Sequence, residues 1–491
     1  MIMDRKLYLY NTAAREKQQF QPAGTMVGMY CCGPTVYNYA HIGNLRTYLF
    51  EDVLKRTLDA FGFTVRHVVN ITDVGHLVSD ADEGEDKMEK GARKEGKTVW
   101  EIARFYTDRF MENTRDLNIR QPDLWTRATD HIPEMIAMIR TLEDNGFTYR
   151  TADGIYFDTL KFPAYRDFAR LEADSIKPGA RVDMGDKHTP TDFALWKFSP
   201  PDVKRQMEWQ SPWGVGFPGW HIECSAMSLK YLSQPLDIHC GGTDHIRVHH
   251  TNEIAQVEAA TGKKFANFWI HGEFLVMDSG KMAKSAGNFL TLDTLKAEGL
   301  RPLAYRMFSF TAHYRSPLTF SWDGLKASEQ SLKNLKKLIS DSAEACADDA
   351  VGSTRMNEVL ASFWDAVADD LNMPRAIAAL WDVLHGASFS RQEKFLAAKT
   401  ADTILGLDLL SPEGEGFCRE VIADDGKKVT IIAQRPLSQD EIAQIAVKAR
   451  DRRRARAEKQ FAAADAIRAE MKSQGVELKD MPDGSTECRI G

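Results

Sequence analysis

The sequence contains no long apolar run, few cysteines and no excess of positive charge. No stretch of the 491 residues is apolar over the length that spans a bilayer, so we expect no membrane partner. The first residues, MIMDRKLYLYN, lack the apolar core of a secretion signal, and we expect a cytoplasmic protein. Seven scattered cysteines, an odd number, argue against a disulfide framework and leave reduced thiols or metal ligands. A formal net charge of -7 means that contact with RNA requires a local basic patch.

The remaining composition, 43% hydrophobic and 27% charged, describes a soluble globular chain that is too long for one core. The sequence switches from strand-like to helix-like and back through MVGMYCCGPTVY, GNLRTYLFEDVLKRTLDAFG and FTVRHVVNITD. This switch predicts a βαβ unit and therefore a parallel sheet. The residues expected to bury the helix against that sheet are Leu45, Leu49, Val53, Leu54, Leu58 and Phe61. PLDIHCGG and HHTNEIAQVEAATG predict a further strand and helix, after a stretch rich in Pro, Asp and aromatic residues that indicates an insertion.

The C-terminal third begins with an almost wholly helical pattern, from Trp322 to about Leu410. A basic segment, Lys448–Lys459, then carries seven basic residues and two acidic ones in KARDRRRARAEK. Its alanines favour a helix. A solvated helix face and a face that lies along phosphates are both compatible with this charge pattern.

Two short segments have the composition of phosphate sites. His41 and Gly43 lie in AHIGN, where a strand passes into a helix, and backbone N–H groups at a helix N-terminus favour phosphate. Lys281 and Lys284 lie in KMAKS, between two glycines, and two such lysines suit a pyrophosphate leaving group. Each segment alone is also typical of an ordinary turn or exposed loop.

Together and in this order, HIGN and KMAKS resemble the HIGH and KMSKS signatures of class I aminoacyl-tRNA synthetases. MYCCGPTVYNYAHIGN, FPGWHIECSAM, HTNEIAQ and KMAKSAGNF resemble the cysteinyl-tRNA synthetase family specifically. The resemblance runs from about Leu7 to about Phe320 and continues more weakly in DDLNMPRA. Three positions depart from the family pattern: Asn44 replaces a histidine, Ala283 a serine, and Cys240 the first glycine of a triplet. Asn44 still offers a hydrogen-bonding side chain and both lysines remain, whereas Cys240 affects the nucleotide pocket.

The resemblance implies an α/β fold, with a Rossmann-like parallel-sheet catalytic domain that contains an insertion and is followed by a helical anticodon-binding domain. The boundaries that we expect are 1–127 for the first half of the catalytic domain, 128–219 for the connective insertion, 220–275 for the second half, 276–325 for the KMSKS-type loop and stem-contact region, 326–410 for the helical bundle and 411–491 for a C-terminal basic helical tail.

A metal site can be argued partly from the residues. His249 and Glu253 are four apart on a predicted helix, so their side chains project from one face. Cysteine, histidine and carboxylate are usual zinc ligands, although the sequence has no C-x-x-C pair. The resemblance implies one zinc ion per chain, held by Cys32, Cys224, His249 and Glu253. Neighbouring residues that we expect to pack or to hydrogen-bond around these ligands are Cys31, Cys240, His239, His245 and His250.

The activity that the resemblance implies has two steps. ATP, with Mg²⁺ on its phosphates, activates L-cysteine to cysteinyl-adenylate, and the cysteinyl group then passes to the 3′ end of tRNA(Cys). Zinc would recognise the substrate thiol. The implied catalytic residues are His41, Asn44, Lys281 and Lys284. The residues implied to contact nucleotide or cysteine are Gly43, Lys284, Asp244 near the ribose and Trp220 as a wall of the cysteine pocket.

Three other functions are alternatives for a chain with these features. A cysteine ligase of the mycothiol pathway resembles this family and would use an amino-sugar acceptor, but it needs no long helical C-terminal part. A zinc hydrolase would use Glu253 as a general base, and the lysine pair gives that no support. A non-catalytic RNA-binding paralogue would be expected to lack His41 or Lys284.

The lysine pair leads to a first prediction. Lys284→Ala should lower the rate of adenylate formation by about 10²–10³-fold, because one well-placed donor to the transition state is lost. Binding of free cysteine should change little. Pre-steady-state measurement of adenylate formation checks this, and a rate within about threefold of the parent protein would remove Lys284 from the mechanism.

Overall fold

A computed structural model gives the fold of residues 5–75, 87–170, 186–200, 205–277, 290–343, 353–411, 417–433, 437, 439–481 and 484–490. Its strands are β1 (Tyr8–Asn11), β2 (Glu16–Gln19), β3 (Met26–Cys31), β4 (Thr64–Ile71), β5 (Leu124–Arg127), β6 (Thr148–Arg150), β7 (Gly154–Phe157), β8 (Phe193–Phe198), β9 (Gly216–Pro218), β10 (Leu236–Gly242), β11 (Ala266–Gly272), β12 (Leu275–Met277), β13 (Leu318–Phe320), β14 (Phe417–Ile422), β15 (Lys428–Ala433), β16 (Val476–Asp480) and β17 (Thr486–Ile490). Its α-helices are α1 (Ile42–Ala60), α2 (Lys87–Glu95), α3 (Val99–Asp116), α4 (Ile132–Asp144), α5 (Trp220–Tyr231), α6 (His249–Thr261), α7 (Leu292–Ala297), α8 (Pro302–Ser309), α9 (Trp322–Ala343), α10 (Ser353–Val359), α11 (Ala361–Ala368), α12 (Met373–His385), α13 (Arg391–Leu405), α14 (Gln439–Ala457) and α15 (Phe461–Ser473).

A five-stranded parallel sheet in the order β11-β10-β3-β4-β5 forms the centre of the fold. Helix α1 connects β3 to β4, which confirms the predicted βαβ unit. All six apolar residues expected to pack this helix against the sheet are buried. The connection from β3 runs toward β4, whereas β10 lies on the other side of β3, so a crevice forms between β3 and β10 at their carboxyl ends.

Smaller sheets surround this centre. An antiparallel sheet in the order β6-β7-β8-β9 lies within the stretch that the sequence indicates as an insertion. Strands β12 and β13 form a parallel pair, and β1 and β2 an antiparallel one. Helices α9 to α13 follow, as the helical pattern predicts. Among the helices that the structure describes, none combines the length and the apolar character that crossing a membrane requires.

The C-terminal stretch differs from the helical tail that we expected. Four of its segments form a mixed sheet in the order β14-β15-β17-β16, against which α14 and α15 pack. Strand β15 has the sequence KVTIIA, which is rich in β-branched residues, and its Val429 and Ile431 are fully buried. Most of the basic segment does lie on a helix, α14, as its composition predicts. The short strands before and after that helix were not predicted.

The charges of the basic segment are largely neutralised within this C-terminal unit. Five of its seven cations form ion pairs with acids of the sheet, its connections and the helices, namely Lys448 with Glu470, Arg450 with Asp424 and Asp451, Arg452 with Asp480, Arg453 with Asp425 and Arg456 with Asp480. Arg454 and Lys459 are exposed and form no ion pair within the described part of the chain. The number of cations that can meet phosphates is therefore smaller than the sequence suggests.

Candidate functional site

A cleft of about 530 Å³ opens at the carboxyl ends of β3 and β10, where the strand order reverses. Seven of the predicted site residues line it: Cys32, His41, Asn44, Trp220, Cys224, Asp244 and His249. The cleft thus brings the HIGN segment and most of the predicted metal ligands together. Lys281 and Lys284 belong to the predicted site as well, but residues 278–289 lie outside those that the structure describes.

His41 and Asn44 cap helix α1. His41 Nδ1 accepts the backbone N–H of Asn44 at 3.1 Å, and the Asn44 carboxamide oxygen accepts the backbone N–H of His41 at 3.3 Å. This reciprocal bonding satisfies two N–H groups of the helix start. Asn44, which replaces the histidine of the signature, therefore shapes the helix N-terminus through its oxygen, a role that we had not predicted. A Cβ on Gly43 would lie 2.9 Å from His41 Nδ1, which is too close for a side chain. Glycine at this position therefore leaves room for the imidazole.

The charge state of His41 follows from its surroundings. Burial lowers the pKa of His41, while the nearby Asp244 carboxylate opposes that change. The imidazole is consequently neutral at pH 7, and it stands at the positive end of the α1 dipole. A neutral ring at the positive end of a helix dipole suits hydrogen bonding to phosphate.

Four side chains from three elements converge at the inner end of the cleft. Cys32 follows β3, Cys224 lies on α5, and His249 and Glu253 lie four residues apart on α6. One ligand atom of each lies within 4.8 Å of the others, and all four side chains are buried. These are the four residues to which the resemblance assigned a metal, and they form a cluster that could hold one.

The electrostatics of the cluster are those of a cation site. A hydrogen bond from the Cys32 thiol, opposed by burial, lowers the pKa of Cys224 to about 7. Burial works against ionisation of Glu253, but His239 and His249 outweigh it and hold the pKa of this carboxyl well below its ordinary value. Burial also disfavours charge on His249, yet Glu253 and Cys224 raise its pKa to about 10. A proton on His249 thus balances the anionic groups, in the position where a divalent ion could replace it.

Further histidines support the cluster from behind. His239 Nε2 lies 2.8 Å from the second Glu253 oxygen, and His250 Nε2 lies 3.3 Å from Cys32 Sγ. His221 Nδ1 lies 2.9 Å from His249 Nδ1. Hydrogen bonds of this kind orient metal ligands. The supporting role of His221 was not predicted, although its position three residues before Cys224 on α5 was a usable signal.

A second combination, Cys32, His239, His250 and Glu253, also brings its ligand atoms within 4.8 Å of one another. His239 and His250 are fully buried and do not line the cleft, whereas Cys224 and His249 do. A metal that meets a substrate in the cleft therefore favours the first combination.

The two cysteines expected to be packing residues face each other inside the sheet. Cys31 and Cys240 are register partners on β3 and β10, and both are fully buried. Burial raises the pKa of each thiol. Their geometry matches the packing role that we expected. His245 differs from that expectation, because it lines the cleft beside Asp244.

Trp220 and Asp244 both line the cleft. The Trp220 ring lies 5.0 Å from the His249 ring, centroid to centroid, beside the proposed metal ligands. Asp244 follows Gly242 at the end of β10, and its side chain is 60% exposed. A ring next to the metal cluster and an exposed carboxylate on the lining of the cleft are compatible with the two predicted roles.

Comparison with known proteins identifies the family. Residues 19–330 match the family model described as the tRNA synthetases class I (C) catalytic domain. The chain is 50% identical to cysteine--tRNA ligase 1 of Burkholderia lata, over 97% of this chain and 96% of that protein. It is 43% identical to cysteine--tRNA ligase of Zymomonas mobilis (96% and 95%) and 41% identical to that of Treponema denticola (98% and 99%). The chain belongs to the cysteine--tRNA ligase family. The family and the fold class that the sequence motifs predicted are thus confirmed.

Among solved structures, the fold resembles Mycobacterium tuberculosis methionyl-tRNA synthetase in complex with methionyl-adenylate. The TM-score is 0.54 at 16% identity, over 78% of this chain and 90% of that one. At this identity the likeness concerns the fold alone, and it agrees with a class I synthetase architecture.

The cluster leads to a second prediction. The purified protein should hold one metal ion per chain, and Cys32→Ser, Cys224→Ser, His249→Ala or Glu253→Ala should each weaken metal binding. The matched controls are Cys31→Ser and Cys240→Ser, whose thiols are equally buried but lie outside the cluster. Metal analysis of the six variants checks this. Equal loss in the Cys31 variant, or none in the Cys32 variant, would contradict the assignment.

Proposed function

We propose that the protein activates L-cysteine with ATP and transfers it to the 3′ end of tRNA(Cys) in the cytoplasm. The observation that carries the proposal is the position of the Cys32, Cys224, His249 and Glu253 cluster in the same cleft as the His41 end of α1. A cluster that would recognise a thiol and a helix end that would bind phosphate thus open into one cleft. The similarity to named cysteine--tRNA ligases over nearly the whole chain supports the same activity.

A metal bound by the cluster would allow the protein to discriminate cysteine from serine. Cysteine and serine differ by sulfur for oxygen, and an apolar pocket separates such isosteres by only about 1–3 kcal/mol. The donor set of two thiols, one imidazole and one carboxylate fits Zn²⁺. Bound Zn²⁺ would favour coordination of a thiolate over a hydroxyl, because it lowers the pKa of a coordinating thiol. Trp220 would close the pocket around the short side chain.

The protein's own groups account for the activation step through position and charge. The cysteine carboxylate attacks the α-phosphate of ATP, and pyrophosphate leaves. His41 and the N-terminus of α1 would stabilise the reacting phosphate, and Lys281 and Lys284 the departing pyrophosphate, with Mg²⁺ expected on the phosphates. Asp244, an exposed carboxylate on the lining of the cleft, would bind the ribose. No side chain needs to transfer a proton in this step, so orientation supplies much of the acceleration.

The test of this function compares amino acids and acceptors. Cysteine should support ATP–pyrophosphate exchange, serine should support at least about 10²-fold less, and the cysteinyl group should pass to tRNA. Transfer to an amino sugar instead of tRNA would support the mycothiol-pathway alternative. Exchange that does not depend on cysteine would refute the proposal.

The ion pairs of the C-terminal unit sharpen a third prediction, on tRNA binding. Arg454 and Lys459 are the two cations of the basic segment without an acidic partner in the described residues. If both contact phosphates, the double variant Arg454→Ala/Lys459→Ala should reduce the slope of log K against log salt by about 2. Cysteine activation should stay unchanged, since both residues lie outside the cleft.

The matched control is Lys448→Ala/Arg450→Ala, because both of these cations are already engaged by acids. Their removal should change the salt slope by less than about 1. No change in the first double variant would mean that this segment serves the fold and not tRNA. An equal reduction in both would mean that the ion-paired cations contact phosphates as well, which contradicts the choice of Arg454 and Lys459.

A further inference from the structure

Arg46 lies on α1, five residues after His41, and its guanidinium donates to four backbone carbonyls. Nη1 donates to the carbonyls of Glu273 and Phe274 at 2.6 and 2.7 Å. Nη2 donates to those of His313 and Ser316 at 3.2 and 2.7 Å. The residue is 4% exposed, so these bonds replace water almost completely. Such an arrangement needs the planar fork of arginine, which lysine does not have.

The four carbonyls belong to the chain segments that lead into β12 and β13. Glu273 and Phe274 directly precede β12, and the Phe274 carbonyl also accepts the backbone N–H of Leu318 at the start of β13. Strand β12 ends at Met277, four residues before Lys281 in the sequence. Arg46 therefore fixes, against α1, the strand from which the lysine-bearing segment departs.

The other end of that segment is attached to the same helix. The backbone N–H of Ile42, at the start of α1, donates to the Leu290 carbonyl at 2.8 Å, and His41 forms an isolated bridge with Thr291. The Tyr305 hydroxyl donates to the Ile42 carbonyl at 2.5 Å and is fully buried. Both flanks of residues 278–289 thus contact α1 within its first turns.

We propose that Arg46 is a positioning residue for cysteine activation. It holds β12, the strand that ends four residues before Lys281 in the sequence, against the helix whose N-cap is His41. This role rests on the proposed function. Activation should depend on it steeply, since displacement of a catalytic group by about 1 Å can cost about 10²-fold in rate.

The test uses Arg46→Lys, which keeps the charge but cannot reach four carbonyls. Adenylate formation should slow by about 10–100-fold, with the KM for cysteine and the metal content within about threefold of the parent. Transfer to tRNA from enzyme-bound adenylate formed in advance should also stay within about threefold, because the lysines act before that step. In a Lys284→Ala background, Arg46→Lys should slow adenylate formation by less than about threefold, because the two substitutions remove the same contribution to the rate.

Arg306→Lys is the matched control. Arg306 is fully buried and bonds the carbonyls of Leu405 and Leu117 and the carboxylate of Asp52, none of which belongs to the segments that lead into β12 and β13. It should lower the melting temperature without a selective loss of activation. If Arg46→Lys does not fold, Tyr305→Phe removes the hydrogen bond that holds α8 to the first turn of α1, and it should slow the same step by about 3–10-fold.

The outcomes separate this role from the function on which it rests. Selective slowing of adenylate formation, with non-additivity toward Lys284, supports Arg46 as a positioning residue. A rate within about threefold of the parent, full additivity with Lys284→Ala, or an equal loss in Arg306→Lys would overturn it. A parent protein without cysteine-dependent exchange would instead overturn the proposed function, and the role of Arg46 with it.

Discussion

The site depends on the balance of charge in one buried cluster. Two thiols, an imidazole and a carboxylate meet there in side chains that are almost fully buried, and an unbalanced buried ion costs several kcal/mol. Glu253 is held ionised by His239 and His249, and Cys224 loses its proton near neutral pH because Cys32 donates to it. The cluster consequently requires a positive partner, which a proton on His249 supplies and which we propose Zn²⁺ supplies when bound.

The parallel sheet determines where this cluster can be. The carboxyl ends of β3 and β10 meet at the reversal of strand order, so Cys32 and the Gly242–Asp244 turn face one cleft. Helix α1 starts at the same edge and brings His41 to it. Arg46, on the same helix, also holds the segment that leads into β12, the strand that precedes Lys281 in the sequence. The metal cluster, the start of α1 and β12 are thereby held in defined positions relative to one another.

Much of this arrangement could be predicted from the sequence, because its signals are local. The spacing of Leu45, Leu49 and Val53 predicts the buried face of α1, and the i, i+4 spacing of His249 and Glu253 predicts a shared face of α6. Cys32 and Cys224 carry no such local signal. They were predicted as metal ligands only through the resemblance to a family, because their proximity depends on how β3 and α5 pack.

Features that arise from contacts far apart in sequence were not predictable. In the sequence, Arg46 has the features of an ordinary cation on a helix. Only the folded chain shows its carbonyl partners, which lie more than 220 residues away in the sequence. The basic segment shows the reverse case. Its local charge predicted a phosphate-binding face, but the acids that neutralise Arg450, Arg452 and Arg453 come from strands and turns outside it. Local charge indicates a surface function only when the distant partners are known.

X-ray absorption at the zinc edge tests the central claim most directly, since it counts the sulfur atoms bound to the metal. The four side chains would provide two sulfur ligands, from Cys32 and Cys224. Addition of cysteine should increase the sulfur count by about one, whereas serine should leave it unchanged, because zinc prefers a thiolate to a hydroxyl. A sulfur count that cysteine does not alter, or a metal without sulfur ligands, would contradict the account.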